Sequence, residues 1–518
     1  MATRKIDFFA SYYSKLSGRE RIYFNVTKKN FLLNPELYIK ELFGGAISIH
    51  KKNIGDYDKI HNEVVGKQKI YTKQRVDEDQ INNQYVENHL WKILRTNVSY
   101  IIGRPIQYSN RTSDTKDDMI YLSNYLADMK KHKNDIDVVS DCIEYGVGYR
   151  MSLPRLDLYD KKTESCIKDY HLDPRLVFLC YGEETRNEVL FACVIEKVYD
   201  LEKKNKVDQY LIYFTDEQEN CYSFRINEKA ETIAPIQKET YKHLPIFEYS
   251  INKYRISPIE IILPLQDAIN RLLSLEIDDV EQFVQAFLVF VNQDVDLETE
   301  EGRNIWGQKV SVFRKTRTIL LNSQVENLPA DLKQLVNQLD HTSLSILYER
   351  LKNAAYDITS TPQPSGNVTS GGDTSGARLL GNGWESALFE AELNTSYMKD
   401  CERIWLKFFI DENKNSQTEI NEISANEIEI KYDINMSDNM LVKTQSISNL
   451  YNANMPKELI LTAVNILGDV QKSSKMWQEY DDKVKEENAK RDNSNGTQIE
   501  SIASQNANLD GIKTTKKD

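Results

Sequence analysis

Long apolar runs, paired cysteines, clustered histidines and an excess of positive charge are all missing from this 518-residue chain. Its most apolar stretch, FVQAFLVFV (283–291), is far too short to span a bilayer. The N-terminal MATRKIDFFASYY lacks the long apolar core of a signal peptide. The six cysteines (Cys142, Cys166, Cys180, Cys193, Cys221 and Cys401) form no CxxC pair. That argues against a disulfide frame or a zinc site and points to reduced thiols in a cytosolic compartment. The seven histidines are dispersed, with no HxxxH or HxxE spacing. A formal net charge of −13 disfavours tight wrapping of nucleic acid, which needs many Lys and Arg to displace counterions. It leaves room for a protein that touches DNA and lets it go.

Catalytic signatures are missing too. There is no GxSxG, HExxH or DxDxDG, and the Gly-rich run GGDTSGARLL has no Lys where a P-loop requires one. That run also lies between helical patterns, where a P-loop needs a preceding strand. No catalytic residue, metal or cofactor is assigned.

What remains is 40% apolar and 28% charged residues, the profile of a globular protein with room for several cores. ELYIKELFGGAISIHKK (36–52) reads as a short helix, a Gly-Gly turn and a strand. Leu90, Ile93, Leu94, Val98 and Ile101 recur at helical spacing until Gly103-Arg104-Pro105 stops them. Residues 118–153 continue as two helices, a Gly-marked turn and a strand. From about 165 to 240 the period becomes two, and RLVFLCYG, EVLFACVIEKVYD, DQYLIYFT and CYSFRIN read as an antiparallel meander.

The second half is more helical. Ile269, Leu272, Leu273, Ile277, Val280, Val284 and Phe287 form a stripe over 265–290, a helix of about 39 Å. Its other side carries Glu276, Asp278, Asp279 and Glu281, which taken alone reads as a solvated face. KVSVFRKTRTILL reads as a pair of short strands carrying Arg314, Lys315 and Arg317. A second helix covers 330–358. A third runs from about 375 to 410, with Leu380, Trp384, Leu388, Leu393, Tyr397, Cys401, Trp405 and Phe408 as its stripe. Between these two lies STPQPSGNVTSGGDTSGARLL (360–380), dominated by Gly, Pro, Ser, Thr, Asn and Asp. A segment this long without structure of its own implies either function or a linker. One strand (IEIKYDIN) and helices near 438–452 and 456–486 follow. The last residues, poor in large apolar side chains, read as disordered.

The arrangement resembles the portal proteins of tailed bacteriophages, of the type found in long-tailed phages of low-GC Gram-positive hosts. The resemblance spans roughly 35–485. It rests on ENHLWKILRTNVSYIIGRPIQYS, on HLDPRLVFLCYGEETRNEVLFACVI, on TSGARLLGNGWESALFEAEL and, most strongly, on the segment 244–290. There Pro245, Asn252, Asp267, Asn270, Ser274, Phe283 and Ala286 fall where the family has the same residues. Gly381 and Gly383 depart from the pattern, since each costs about 1 kcal/mol in a helix, and they imply a kink or a late helix start.

The resemblance implies an α+β portal-type fold: an N-terminal arm (1–34), an α+β wing (35–262), a stem helix (263–291), a small β/α clip (292–330), a second stem helix (331–360), a tunnel loop (361–376), a long wing helix (377–411), a helical crown (412–487) and a disordered tail (488–518). It implies a ring of copies of the chain, usually twelve, at one capsid vertex of the virion. Double-stranded DNA would be packaged and ejected through that ring, held weakly and without sequence specificity. The tunnel-loop residues Gln363, Ser365, Asn367, Thr369, Ser370, Asp373 and Thr374 would line the channel. Glu276 and Asp279 would face it from the stem, and Arg314, Lys315 and Arg317 would meet the motor and later the adaptor. The partners implied are the terminase large subunit, a head–tail adaptor and the major capsid and scaffolding proteins, with assembly in the host cytoplasm and no membrane. Twelve copies at −13 each would carry about −156, a field that keeps duplex from being gripped. The competing readings are a DNA-translocating motor ATPase, another head–tail connector ring and a cytosolic scaffold with a linker.

Overall fold

A computed structural model describes residues 8–10, 21–74, 81–110, 116–155, 165–183, 188–200, 205–284, 287–291, 298–316, 331–335, 341–363, 384–416, 420, 423–434, 440–453, 455, 460 and 476–485. At its centre is a seven-stranded sheet in the order β1 (Phe8–Ala10), β2 (Ile22–Phe24), β6 (Val177–Tyr181), β7 (Val189–Asp200), β8 (Asn205–Thr215), β9 (Asn220–Ile226) and β10 (Thr232–Lys242). The run from β6 to β10 is the expected antiparallel meander, and only the β2–β6 pair is parallel. Alternate residues sort cleanly between two cores. Phe178, Cys180, Phe191, Cys193, Tyr210, Ile212 and Phe214 pack on one face, and Val177, Leu179, Ala192, Val194, Leu211 and Tyr213 on the other.

The first face is covered by α1 (Lys28–Leu33) and α2 (Pro35–Val64), through Phe31, Ile39, Leu42, Phe43, Ala46 and Ile47. Here two sequence expectations change. The stretch 36–52 is not helix, turn and strand but part of one 30-residue helix. Asn34 caps it by accepting from Leu37 N at 3.3 Å, Pro35 occupies the first turn, and buried side chains recur at helical spacing across Gly44-Gly45. The described residues 21–34 are also more than an arm, because Ile22, Phe24 and Phe31 are core residues. A Cβ placed on the exposed Gly44 would meet nothing within 4 Å, so no close approach requires glycine there. Gly44→Ala is therefore expected to stabilise the chain by about 0.5–1 kcal/mol in urea denaturation, by removing backbone freedom from the unfolded state.

The second face builds the larger core. It takes in α3 (His89–Ile102), α5 (Lys131–Tyr145), a three-stranded sheet of β11 (Ile246–Ser250), β4 (Val147–Pro154) and β5 (Ile167–Leu172), and the 32-residue helix α9 (Trp384–Asn415). The α4 helix (Lys116–Asp128) and the pair β3 (Gln107–Asn110) with β14 (Ile428–Lys431) close its edge. Between α5 and β4 the chain reverses at Gly146 (φ +85°), where a Cβ would lie 2.3 Å from the Arg255 carbonyl oxygen. Ile420, Ile423, Ile428, Ile430 and Tyr432 belong to the same core. A boundary at 412 thus divides one packed body, since described residues as far as Tyr432 belong to this core. Further on, α10 (Met440–Asn452) and helical residues 476–485 touch through the stacked rings of Tyr451 and Trp477.

The helix α6 (Pro258–Val284) leaves this core capped by the buried Ser257, whose Oγ accepts from Ile259 N at 3.0 Å. It ends earlier than the periodicity predicts. Phe287–Val291 is strand β12, paired antiparallel with β13 (Asp331–Leu335). The aromatic and β-branched residues of FLVFV favour the pleated surface over a continued helix. The second long helix accordingly starts later, as α8 (His341–Ile358). Of the pair of strands expected around 309–321, the described part, as far as Thr316, is helical, and 317–321 lies outside the described residues. Glu300–Thr316 is a helix, α7, with Gly302 N bonded to Thr299 Oγ1 at 3.2 Å and Glu300 and Glu301 in its first turn. The cap and the charge order outweigh the β-branched Val310 and Val312. The tail 488–518 lies outside the described residues.

Candidate functional site

The loop that stands out in the sequence leaves and rejoins the fold at one place. At the end of α8, Ser360 adopts a left-handed backbone (φ +48°) and Thr361 N bonds to the Tyr356 carbonyl at 2.8 Å. The Thr359 and Thr361 hydroxyls share a hydrogen bond at 2.8 Å, and Thr361 Oγ1 accepts from Asn97 Nδ2 on α3 at 3.1 Å. One turn along α3, the Tyr100 ring packs against Trp384 at the start of α9, centroids 5.6 Å apart, and its hydroxyl donates to the Trp384 carbonyl at 3.5 Å. Burial raises the Tyr100 phenol above its ordinary value, which keeps it a donor. Across the gap, Ser386 Oγ lies 3.2 Å from Ser360 Oγ. The ends of a long polar excursion are therefore pinned side by side on α3. Gln363 is half-buried at this base; Ser365, Asn367, Thr369, Ser370, Asp373 and Thr374 lie outside the described residues.

The helix that precedes the loop, α8, packs along α6, with Ala355 and Tyr356 buried between α8 and the large core. Of the acidic side chains on α6, Glu276 and Asp279 are half-buried. Asp278 is not on a solvated face: it is buried, accepting from Asn83 N at 2.7 Å and pairing with Lys73 Nζ at 3.3 Å. The apolar stripe of α6 is split as well. Ile269 and Leu272 are buried, whereas Val280 is 53% exposed. On α9 the buried side runs through Ala387, Ala391, Asn394, Met398, Glu402 and Trp405, and the predicted stripe members Leu393 and Tyr397 face outward with Phe389 and Ile404. Of the three predicted contact cations, Arg314 and Lys315 stand near the C-terminal end of α7 and Arg317 lies outside the described residues.

Sequence reasoning missed a buried ionic cluster that fixes α9 to the rest. Arg150 on β4, Lys131 and Asp135 on α5, Asp169 on β5 and Glu402 on α9 are all inside the large core. Lys131 Nζ meets Asp135 Oδ1 at 2.7 Å and Glu402 Oε1 at 2.9 Å. Arg150 hydrogen-bonds to Asp135 and lies 3.7 and 3.8 Å from Asp169 and Glu402. The Tyr108 and Tyr249 hydroxyls donate to the two oxygens of Glu402 at 2.5 and 2.8 Å. Burial alone would raise the Glu402 carboxyl, but the adjacent Lys131 and Arg150 hold it down at about 2. At Asp169 burial wins, and its carboxyl is pushed up. The cluster is sealed by Trp405, whose indole N–H donates to Ser152 Oγ at 2.9 Å. No substrate could reach these groups, so their role is structural. No local pattern signals them, because residues 131, 150, 169 and 402 are far apart in the chain.

The hollows on the surface do not gather chemistry either. One, about 300 Å³, lies between α6 and the turn Lys69–Thr72 and is lined by Lys69, Thr72, Lys73, Asp267 and Arg271 beside Ile70 and Leu275, with no His or Cys to activate a nucleophile. Among the described residues no group of three His, Cys, Asp or Glu side chains could hold a metal ion, and no helix is long and apolar enough to cross a membrane.

The body is α+β, α6 and α8 pack along each other, and the segment between α8 and α9 is held at both its ends on α3. The family model for phage portal proteins, SPP1 Gp6-like, matches residues 46–487. The chain belongs to this family, and its role is that of a phage portal protein, a structural part of the virion. No curated protein matches the sequence. A solved chain from the virion of native gene transfer agent (GTA) particle is similar over 73% of this chain and 89% of its own, with 10% identity and a TM-score of 0.40.

Proposed function

We propose that copies of this chain, twelve in number, close into a ring at a single capsid vertex, and that double-stranded DNA is packaged and later ejected through its central hole. The observation that carries this reading is the base of the loop. Thr361 and Trp384 on either side of residues 364–383 are both held on α3, and in this reading those residues form one projection at a fixed place in each copy. Gly, Ser, Thr and Asn dominate that projection, with Asp373 and Arg378 its charged residues. Twelve such projections around a hole give duplex many weak, exchangeable contacts and little fixed charge to hold it. The outward apolar side chains Phe389, Leu393 and Ile404 of α9, each more than half exposed in a single copy, support burial against a neighbour.

In this reading α6 and α8 form the stem, 292–330 the clip and the residues from 435 the crown. The clip receives the terminase large subunit during packaging and a head–tail adaptor afterwards, with Arg314, Lys315 and Arg317 among the contacts. Capsid and scaffolding proteins surround the ring as it assembles in the cytoplasm of a low-GC Gram-positive host. The chain itself hydrolyses no nucleotide. Averaged electron micrographs of the purified protein should show a ring with a hole; a monodisperse monomer under assembly conditions would overturn the proposal. The half-buried Glu276 and Asp279 keep phosphates off the stem wall, so Glu276→Lys with Asp279→Lys is expected to slow packaging, read as fewer DNA-filled heads per assembled particle. Unchanged yields would remove these two residues from the channel.

A further inference from the structure

One side of α6 carries Gln266, Asn270, Ser274 and Asp278, four polar residues each one turn from the next, and all four are buried. Their partner is an extended stretch of main chain running the opposite way. Asn83 N donates to Asp278 Oδ1 at 2.7 Å, Tyr85 N to Ser274 Oγ at 3.0 Å, Glu87 N to Asn270 Oδ1 at 3.2 Å and His89 N to Gln266 Oε1 at 3.2 Å. The spacings fit because four helical residues rise about 6.0 Å while two extended residues advance about 6.6 Å. Side chains of the helix thus stand where the carbonyls of a neighbouring strand would be.

The back of the arrangement is closed too. Gln266 Nε2 donates to the Glu87 carbonyl at 2.7 Å and to Asn270 Oδ1 at 3.0 Å, and Asn270 Nδ2 donates to Gln68. Lys73 pairs with Asp278, and its carbonyl accepts from the amides of Asn82 and Gln84 at 3.1 and 2.9 Å. At its far end the stretch becomes α3, the helix that pins the loop.

We propose that residues 83–89 and this polar side of α6 form an axial clamp, which holds the stem helix in register with the large core against force along α6. The bonds run across the helix axis and side by side. A pull along the axis therefore loads all four together, whereas an outward pull would open them one at a time. The inference rests on the portal reading for the source of the force, which is the motor driving DNA along the stem. Gln266, Asn270, Ser274 and Asp278 act as positioning residues and touch no DNA.

Hydrogen exchange on the purified chain tests the clamp without reference to DNA. The Tyr85 amide should be protected, and Ser274→Ala should speed its exchange about tenfold, the loss of one buried hydrogen bond. Ser274→Thr, which keeps the hydroxyl, should restore protection. A Tyr85 amide that exchanges freely in the unaltered chain, or ignores Ser274→Ala, would overturn the clamp. The axial role is read in particles carrying Asn270→Ala with Ser274→Ala, whose rings should still assemble. A short genome should be packaged as well as in unaltered particles and a full-length genome, which is driven in against higher pressure, should not. Equal yields at both lengths, or equal loss at both, would overturn the axial role. If the purified protein gives no ring, the portal reading fails while the exchange result stands.

Discussion

Arg150→Met is expected to destabilise the chain by about 3–5 kcal/mol, the range for orphaning buried charge. Methionine is long enough to fill most of the space, so the loss is electrostatic more than a cavity effect. Arg150 is 1% exposed and faces three carboxylates, Asp135, Asp169 and Glu402, besides lying over the Tyr249 and Trp405 rings at 5.3 and 5.0 Å. Without it, Lys131 alone must balance all three. Two accompanying results identify the cause. Adding Glu402→Gln to Arg150→Met should recover part of the loss, since one of the uncompensated charges is then gone; an additive further loss would mean that packing dominates. The pH dependence supplies the second. In the unaltered chain Glu402 has its folded value lowered to about 2, so its contribution is present above its unfolded value near 4.5 and fades as pH falls towards 2. In Arg150→Met the carboxylates lose the cation that favours their charged form, and their folded values rise. Protonation then relieves the penalty, and the difference between variant and unaltered chain, read from urea midpoints, should shrink from pH 7 to pH 4.

That cluster also marks how far the fold was legible in the sequence. Several short-range signals are legible. The period-two runs of β6 to β9, the helix 89–102 and the Gly146 turn are set by residues a few positions apart. Most of the failures lie where tertiary packing decides; α7 is the exception, since its cap at Thr299 and its acidic first turn are local signals. Gly44-Gly45 reads as a turn, yet Ile39, Leu42, Phe43, Ala46 and Ile47 all face one sheet and carry the helix through. FLVFV extends the stripe of α6 by periodicity, yet β13, about forty residues later, is there to pair with it. At the candidate site, composition alone marked the loop, but not what holds its ends. Asn97, Tyr100 and Trp384 are common residues in helical stretches, and their convergence is a property of the folded chain. The polar ladder on α6 did leave a trace, since Gln266, Asn270, Ser274 and Asp278 repeat every four residues along the helix. Such a row reads as a solvated face until a buried extended segment supplies four amides to bond it.

Replacing residues 365–382 by a four-residue Gly-Ser linker is expected to leave rings intact and to abolish DNA-filled heads. The structure makes this a clean test of the loop. Ser360 and Ser386 already touch through their hydroxyls. A linker together with the residues kept on either side of it can reach well beyond that separation at roughly 3.3–3.6 Å per residue. The contacts at the base, Thr361 with Asn97 and Trp384 with Tyr100, need none of the removed residues. Stability should therefore change little, because closing a shorter loop costs less entropy in the folded chain. A fall in the urea midpoint would show that the loop packs on the body and would make the packaging result ambiguous, so the two are measured on the same preparation. If the shortened chain assembles, keeps its stability and fills heads as the unaltered chain does, duplex passes without the loop. The segment would then have no part in holding or releasing it.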